Sequence, residues 1–278
     1  MTKIISSGLA LFFLLQLTGC SNLTSLFFYP QQEYLRSPND INLAYEEVNT
    51  VTADGTQISS WFLPAVVADR QTDDSPIVLF LHGNAENIST HIGSVYWLPE
   101  QGVNVFLLDY RGFGHSQGDP YIPAIFEDVE SSLIWLRKRF PERKIFIFGQ
   151  SIGSAIATTS MALFKDEYQL SGLILDASFT GYRDIAQDVT GSHVITWLVW
   201  PFTWLLPTKW DPQEHIADIS PSPILMFHSE ADPVLPYDLG LELYDAAQQP
   251  KEWQPSKGGH IQTFNFEEYR KIFVKFLI

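Results

Sequence analysis

A chain of 278 residues that is 45% hydrophobic, 14% aromatic and 18% charged can bury one large core, which excludes a disordered, collagenous or coiled-coil protein. Its 17 Lys and Arg against 32 Asp and Glu give a formal charge of −15, which repels a phosphate backbone and excludes nucleic acid as a partner. Cys20 is the single cysteine, so neither an internal disulfide nor a cysteine-built zinc site can form.

Lys3 precedes an apolar run from Ile4 to Leu17 that is broken by Ser, Gly and Gln and is short for a bilayer span, the pattern of a signal-peptide core. Leu17-Thr18-Gly19-Cys20 then resembles the lipobox of bacterial lipoproteins. The resemblance implies a signal peptide over residues 1–19, cleavage after Gly19, diacylglyceryl transfer to the Cys20 sulfur and acylation of the new N-terminus. The alternative is an uncleaved anchor helix with an incidental cysteine. Each buried CH₂ contributes about 0.8 kcal/mol, so several acyl chains anchor firmly where one is marginal. Loss of residues 1–19 removes Lys3 and leaves a charge of −16, so acyl chains, not charge, would hold the protein to an anionic membrane of the bacterial cell envelope. Ser21 after the cysteine, in place of Asp, resembles the outer-membrane sorting pattern of a double-membraned host.

Residues 21 to about 45 are polar apart from Leu26-Phe27-Phe28-Tyr29-Pro30, and Pro30 and Pro38 disfavour regular structure, which predicts a partly docked tether over residues 20–45. Val48 to Thr52, an Asp54-Gly55 turn and Ile58 to Leu63 predict a β-hairpin. A polar linker at residues 69–76 follows. Continuous apolar runs at Ile77–Leu81, Val103–Leu108, Ile145–Phe148, Gly172–Leu175 and Ile224–Phe227, separated by helix-length segments, predict a buried and mostly parallel sheet with helices on both faces. Ile125 to Arg139 carries a helical apolar stripe closed by Pro141, and Phe264 to Ile278 predicts a last helix. Residues 180 to about 212, with Trp197, Trp200, Phe202, Trp204 and Trp210, are too long and too aromatic for a plain crossover. They predict a small cap over the carboxyl ends of the strands, inserted in a domain that runs from residue 46 to 278. Its rings would either glue the cap to the core or line an acyl groove.

The Ile145–Phe148 run leads directly into Gly149-Gln150-Ser151-Ile152-Gly153 and a small-residue helix start, the strand-turn-helix context that a nucleophile elbow requires. Leu81-His82-Gly83-Asn84-Ala85 follows one earlier apolar run and Asp109-Tyr110-Arg111-Gly112-Phe113-Gly114 follows the next. With these three motifs in order, the chain from about Phe28 to Ile278 resembles the α/β-hydrolase superfamily, in particular its membrane-associated serine hydrolases with an H-G-N-A motif. The resemblance implies the α/β-hydrolase fold.

A serine hydroxyl is a poor nucleophile at neutral pH, so a histidine must take its proton and a carboxylate must fix that histidine's tautomer. His260, in Lys257-Gly258-Gly259-His260 before the last helix, matches the superfamily's loop histidine. His82 is expected to brace its turn, His228 to be structural and His115 to belong to the Gly-rich loop. His91, His193 and His215 carry no flanking signal and are expected at solvated or cap positions. Asp232 follows the Ile224–Phe227 run and gives the chain order Ser, Asp, His, with Ser229 standing where the family commonly has Gly. Asp176, at the end of the Leu173–Leu175 run, is the rival acid, and Glu230 falls two residues early. The resemblance implies an oxyanion hole built from the backbone N–H groups of Ile152 and Asn84, with Ala85 as the alternative second donor.

No metal and no cofactor are expected, since the chain has no H-E-x-x-H and no C-x-x-C, and Gly112-x-Gly114 lacks the third glycine of a dinucleotide fingerprint. These features together predict a lipid-anchored serine hydrolase that cleaves small-molecule carboxylic esters or thioesters, acyl esters among them, through an acyl-enzyme. An amidase or peptidase with the same triad is the alternative reading. A non-catalytic binding lipoprotein is the alternative from another class.

Overall fold

The computed structural model describes residues 20–68, 74–191 and 200–278. The expected signal peptide, part of the polar linker, His193 and Trp197 lie outside the described residues. Eight strands form one sheet: β1 (Glu46–Val51), β2 (Gln57–Leu63), β3 (Ile77–Leu81), β4 (Asn104–Leu108), β5 (Ile145–Gln150), β6 (Gly172–Asp176), β7 (Ile224–Ser229) and β8 (Lys251–Ser256). Their order is β8-β7-β6-β5-β3-β4-β2-β1, and all neighbours run parallel except β1 with β2 and β2 with β4. The expected hairpin is the antiparallel β1–β2 pair, with Val51 opposite Gln57 at its turn end.

Alternation along each central strand sends successive side chains to opposite faces. Ile77, Leu79 and Leu81 of β3 enter one core with Ile145 and Ile147 of β5, whereas Val78 and Phe80 enter the other with Phe146 and Phe148. The first core is covered by helix α1 (Ala124–Arg139), through Ile125, Val129, Leu133 and Leu136, and by α2 (Ile152–Phe164). After the cap helix α3 (Tyr182–Gly191) and α4 (Tyr237–Ala246), the last helix, α5 (Glu267–Leu277), covers the second core with Tyr269, Phe273 and Leu277. Every residue of β3, β4 and β6 is buried because both faces are covered, and this is why those segments read as unbroken apolar runs. Among the described residues, no helix is long and apolar enough to cross a membrane.

Three features depart from expectation. Strand β8 was not anticipated; its Lys-Glu-Trp-Gln-Pro-Ser sequence is half exposed at the sheet edge, where polar residues and a proline are tolerated. The last helix is preceded by a separate 3₁₀ turn at Thr263–Asn265. Docking of the N-terminal segment also goes further than a tether implies. Cys20–Phe27 forms a 3₁₀ segment, Tyr29 and Pro30 pair in parallel with Ala85 and Glu86, and Phe28 is buried edge-on against Phe113 at 6.3 Å.

The loop after β4 is tied to α1 by a buried ion pair. Arg111 Nε donates to Asp128 Oδ1 and its backbone N–H to Oδ2, both at 2.9 Å, while Nη1 reaches Asp54 of the hairpin turn at 2.9 Å. Asp128 is fully buried, so removing it leaves the buried Arg111 guanidinium with the half-exposed Asp54 as its remaining close partner and the Arg111 N–H without its acceptor. Asp128→Ala is expected to lower unfolding free energy in urea by about 3–5 kcal/mol. A loss within the range of a surface substitution would refute this role.

Candidate active site

Ser151 occupies the turn from β5 into α2 with φ 56° and ψ −126°. A residue with a side chain pays about 1–3 kcal/mol for such a backbone, which persists only where its surroundings force it. Here they do. A Cβ on Gly149 would lie 2.2 Å from the Gly153 carbonyl oxygen, and one on Gly153 would lie 2.1 Å from that of Leu81. Both positions therefore exclude side chains, and the turn wedges against the end of β3. The Ser151 N–H donates to the Asp176 carbonyl at 3.0 Å.

Three loops at the carboxyl ends of the strands converge on this serine, the usual site of ligand binding in such sheets. His260, in the loop between β8 and α5, has Nε2 2.9 Å from Ser151 Oγ and Nδ1 2.8 Å from Asp232 Oδ2. With Nδ1–H donating to the carboxylate, Nε2 is free to accept from the serine hydroxyl. Asp232 lies after β7; its side chain is 1% exposed, and its Oδ1 accepts the N–H groups of Val234 and Leu235 at 2.8 and 3.0 Å. Burial raises the Asp232 pKa, but the His260 bond and these N–H donors outweigh it and hold the group below the ordinary carboxylate value. His228, buried beneath, is pushed down by burial and places Nε2 3.3 Å from the Leu235 carbonyl. It supports the acid turn, as a structural reading expects. Ser229, the departure from the family pattern, gives the turn an extra tie: its hydroxyl donates to the Gly258 carbonyl of the histidine loop at 2.6 Å.

The rival carboxylate has a different task. Asp176 pairs with Gln150 in the sheet register, and its two oxygens accept from Gln150 Nε2 and Thr263 Oγ1, each at 2.7 Å. It thus bridges the residue before Ser151 to the residue three after His260, and no hydrogen bond joins it to His260. Burial raises its pKa to about 6, against the lowering effect of the Thr263 and Gln150 bonds. Glu230 is exposed at the surface.

Asn84 and Ile152 both border the cleft beside Ser151, and Ile152 opens α2, where backbone N–H groups lack intrahelical acceptors. The Asn84 loop is pinned from three sides. Its carbonyl accepts the Tyr29 N–H at 2.7 Å, His82 Nδ1 donates to the Gly83 carbonyl at 2.8 Å, and His91 Nε2 donates to the Ala85 carbonyl at 3.1 Å. The expectation that His91 is solvated or in the cap is therefore corrected: it stacks on His82 at 5.1 Å, and burial pushes its pKa down to about 3. His115 is exposed with its ring tilted against Tyr34, and His215 sits in the cap against Trp210.

The cleft above Ser151 has a volume of about 560 Å³, and among the described residues no charged side chain lines it. One wall is Phe179 with Ile185 of α3, another is Phe202, Leu205 and Leu206, and the third is Leu23, Leu26, Phe27 and Tyr29 from the N-terminal segment. Of the cap rings in the described residues, only Phe202 lines the cleft. Trp210 instead packs on Phe126 at 5.2 Å, and Trp204 projects outward over Arg183. The apolar patch Leu26–Tyr29 signalled docking in the sequence but not its place, because Tyr29 and Asn84 are joined only by the fold. A groove of about 630 Å³ beside α5, between Trp97 and Lys271, shares no residue with this site.

The Hydrolase_4 family model, described as serine aminopeptidase, S33, matches residues 72–220, just over half of the chain. The chain belongs to the Hydrolase_4 family. Its match carries the Asn84 loop and the Ser151 turn, while Asp232 and His260 lie beyond the matched residues. Among full-length relatives, YfhR of Escherichia coli K12 is 34% identical over 91% of this chain and 86% of its own. Lysophosphatidylserine lipase ABHD12 of Danio rerio is 31% identical over 72% of this chain and 54% of its own. The Pyrococcus furiosus esterase Pf2001 superposes with a TM-score of 0.71 at 21% identity, over 90% of this chain and 97% of that one, a likeness of fold. The protein is thus an α/β-hydrolase-superfamily hydrolase, with the mostly parallel sheet expected of it.

Asp176 gives Hydrolase_4 chemistry a measurable stability signature. Between about pH 4 and pH 6 the unfolded chain has released this proton while the folded chain still holds it. Stability from this group is therefore full at low pH, falls as pH rises through that window and levels off above it. Asp176→Asn is expected to flatten this slope in urea midpoints measured from pH 4 to 7. Superimposable wild-type and variant profiles would show that Asp176 titrates normally.

Proposed function

We propose that the protein is a serine hydrolase that cleaves acyl esters or thioesters through a covalent acyl-enzyme on Ser151. The observation that carries this reading is a hydrogen-bonded Ser151–His260–Asp232 array opening onto an uncharged, apolar cleft. In the proposed mechanism His260 Nε2 takes the Ser151 proton as Oγ attacks the acyl carbonyl. Asp232 holds the imidazole tautomer and stabilises the imidazolium that forms. The N–H groups of Ile152 and Asn84 receive the developing oxyanion, and His260 then protonates the departing alkoxide or thiolate. Water, deprotonated by the same histidine, releases the acid and restores the serine. The relatives' names, a lysophosphatidylserine lipase and an esterase, agree with an acyl substrate.

The family description favours a second reading, an aminopeptidase on the same triad. A free peptide amino terminus calls for a carboxylate in the pocket, and the described lining offers none. The lipobox resemblance of Leu17-Thr18-Gly19-Cys20 supports a lipid-anchored protein of the cell envelope, with acyl chains on Cys20.

Ser151→Ala is expected to abolish labelling by a fluorophosphonate probe and to cut turnover by about 10³ to 10⁶. Asp232→Asn is expected to lower turnover by up to about 10⁴ with the fold intact, and Asp176→Asn by far less. Persistent labelling of the first variant, or a reversal of the two aspartates, would assign the roles otherwise. On p-nitrophenyl esters, kcat/KM is expected to rise several-fold per two methylenes from acetyl to about octanoyl, since each buried CH₂ contributes about 0.8 kcal/mol. A flat profile with faster amide turnover would favour the peptidase. Mass spectrometry of the mature N-terminus is expected to find an acylated Cys20, and an unmodified Met1 terminus would refute the anchor.

A further inference from the structure

The mouth of the cleft is apolar on its outside as well as within. Leu26, Tyr29, Phe202, Leu205 and Val234 line the cleft yet leave more than half of their surface exposed, and Trp204, 59% exposed, carries the same rim outward. Exposed apolar side chains are normal when scattered singly; gathered around one opening they mark a contact surface. These six come from three separate stretches of the chain. Arg183 fixes the cap stretch from behind, donating to the Leu206 carbonyl at 2.9 Å with its guanidinium 5.0 Å over the Trp204 ring.

The chain that leads to the apolar N-terminal run starts at this rim. Cys20–Phe27 is the segment that brings Leu23, Leu26 and Phe27 into the cleft wall, and residues 4–17 precede it closely in sequence. If that run is retained, it anchors the chain here; if it is removed, the acyl chains on Cys20 do. At most about 3.6 Å per residue separates Leu23 from either anchor, so acyl chains on Cys20 enter a bilayer within about 11 Å of the cleft wall and a retained run ending at Leu17 within about 22 Å.

We infer that the rim of Leu26, Tyr29, Phe202, Trp204, Leu205 and Val234 seats in a lipid bilayer, so that the cleft above Ser151 opens into the membrane rather than into water. Tyr29 suits the headgroup level, where amphipathic rings accumulate, and the rest of the rim suits the acyl boundary beneath it. The anchor selects this occupant over a second copy of the chain: it holds the rim at a membrane even against the repulsion of an anionic surface, whereas two copies at −15 repel each other with nothing to tie them together. Seating does not depend on the triad. Where the acyl-ester reading also holds, it supplies substrate laterally from the bilayer.

The test uses the full-length protein, with Ser151→Ala to prevent turnover, reconstituted in phosphatidylcholine vesicles. Nitroxide labels are attached at Leu26→Cys, Trp204→Cys and, as a control on the outer face of α1, Ile134→Cys; the parent without an added cysteine gives the blank for Cys20. Paramagnetic relaxation is expected to report high oxygen and low nickel-chelate accessibility at positions 26 and 204, and the reverse at 134. The pattern is expected to be unchanged in 0.5 M salt, since no charge attraction is involved (about 0.5 M being far above the screening range). Equal accessibility at 204 and 134 overturns the proposal. So does shielding of 204 that appears without vesicles and grows with protein concentration, which would assign the rim to a second copy. Neither outcome bears on fluorophosphonate labelling of the wild type, so seating and catalysis fail separately.

Discussion

Gly149 and Gly153 bring the backbone on either side of Ser151 closer to its neighbours than any side chain permits, and the rest of the site is built around that approach. Because a Cβ at Gly153 would meet the Leu81 carbonyl at 2.1 Å, the start of α2 lies directly on the end of β3. The loop that leaves β3, with Asn84, is thereby set beside the first N–H groups of α2. One steric constraint thus fixes both the turn that carries Ser151 and the spacing of the proposed oxyanion donors. Its cost is the unusual φ of Ser151, which the bonds from its N–H to Asp176 and from Ser154 to its carbonyl help to hold.

Two carboxylates lie close to this turn, and their surroundings separate them. Asp232 gains two backbone N–H donors and the imidazole, so it stays charged despite burial. Asp176 gains a side-chain amide and a hydroxyl, which leave burial the larger effect and its pKa high. A charged acid facing a histidine suits tautomer control. A buried carboxyl gripping Gln150 and Thr263 suits the joining of two loops that must keep a serine and a histidine 2.9 Å apart. The N-terminal segment acts on the same loops from outside, since Tyr29 hydrogen-bonds the Asn84 carbonyl and Leu26 and Phe27 wall the cleft. Site and N-terminal segment are in this sense one structure.

Much of this was legible in the sequence, for a local reason. The continuous apolar runs mark strands buried on both faces, Asp54-Gly55 marks the hairpin turn, and Gly149-x-Ser151-x-Gly153 after a strand marks the elbow, because each is a constraint between residues a few positions apart. Asp232 could be ranked because it follows an apolar run, and His260 because it sits in a Gly-rich loop before the last helix, in the chain order the superfamily uses. Strand β8 escaped because an exposed edge carries no apolar pattern. His91 escaped because nothing beside it in sequence reveals that its ring packs under the Asn84 loop.

The sequence by itself therefore determined the hairpin and the buried strands of the sheet, the elbow and the identity of the groups able to meet there, since periodicity and backbone sterics are written within short stretches. Only the tertiary structure decided which carboxylate faces His260, which rings line the cleft and that Leu23, Leu26, Phe27 and Tyr29 belong to the site. Those outcomes depend on pairs such as Tyr29 with Asn84 and Gln150 with Asp176, far apart in the chain and joined only once the strands have taken their order in the sheet.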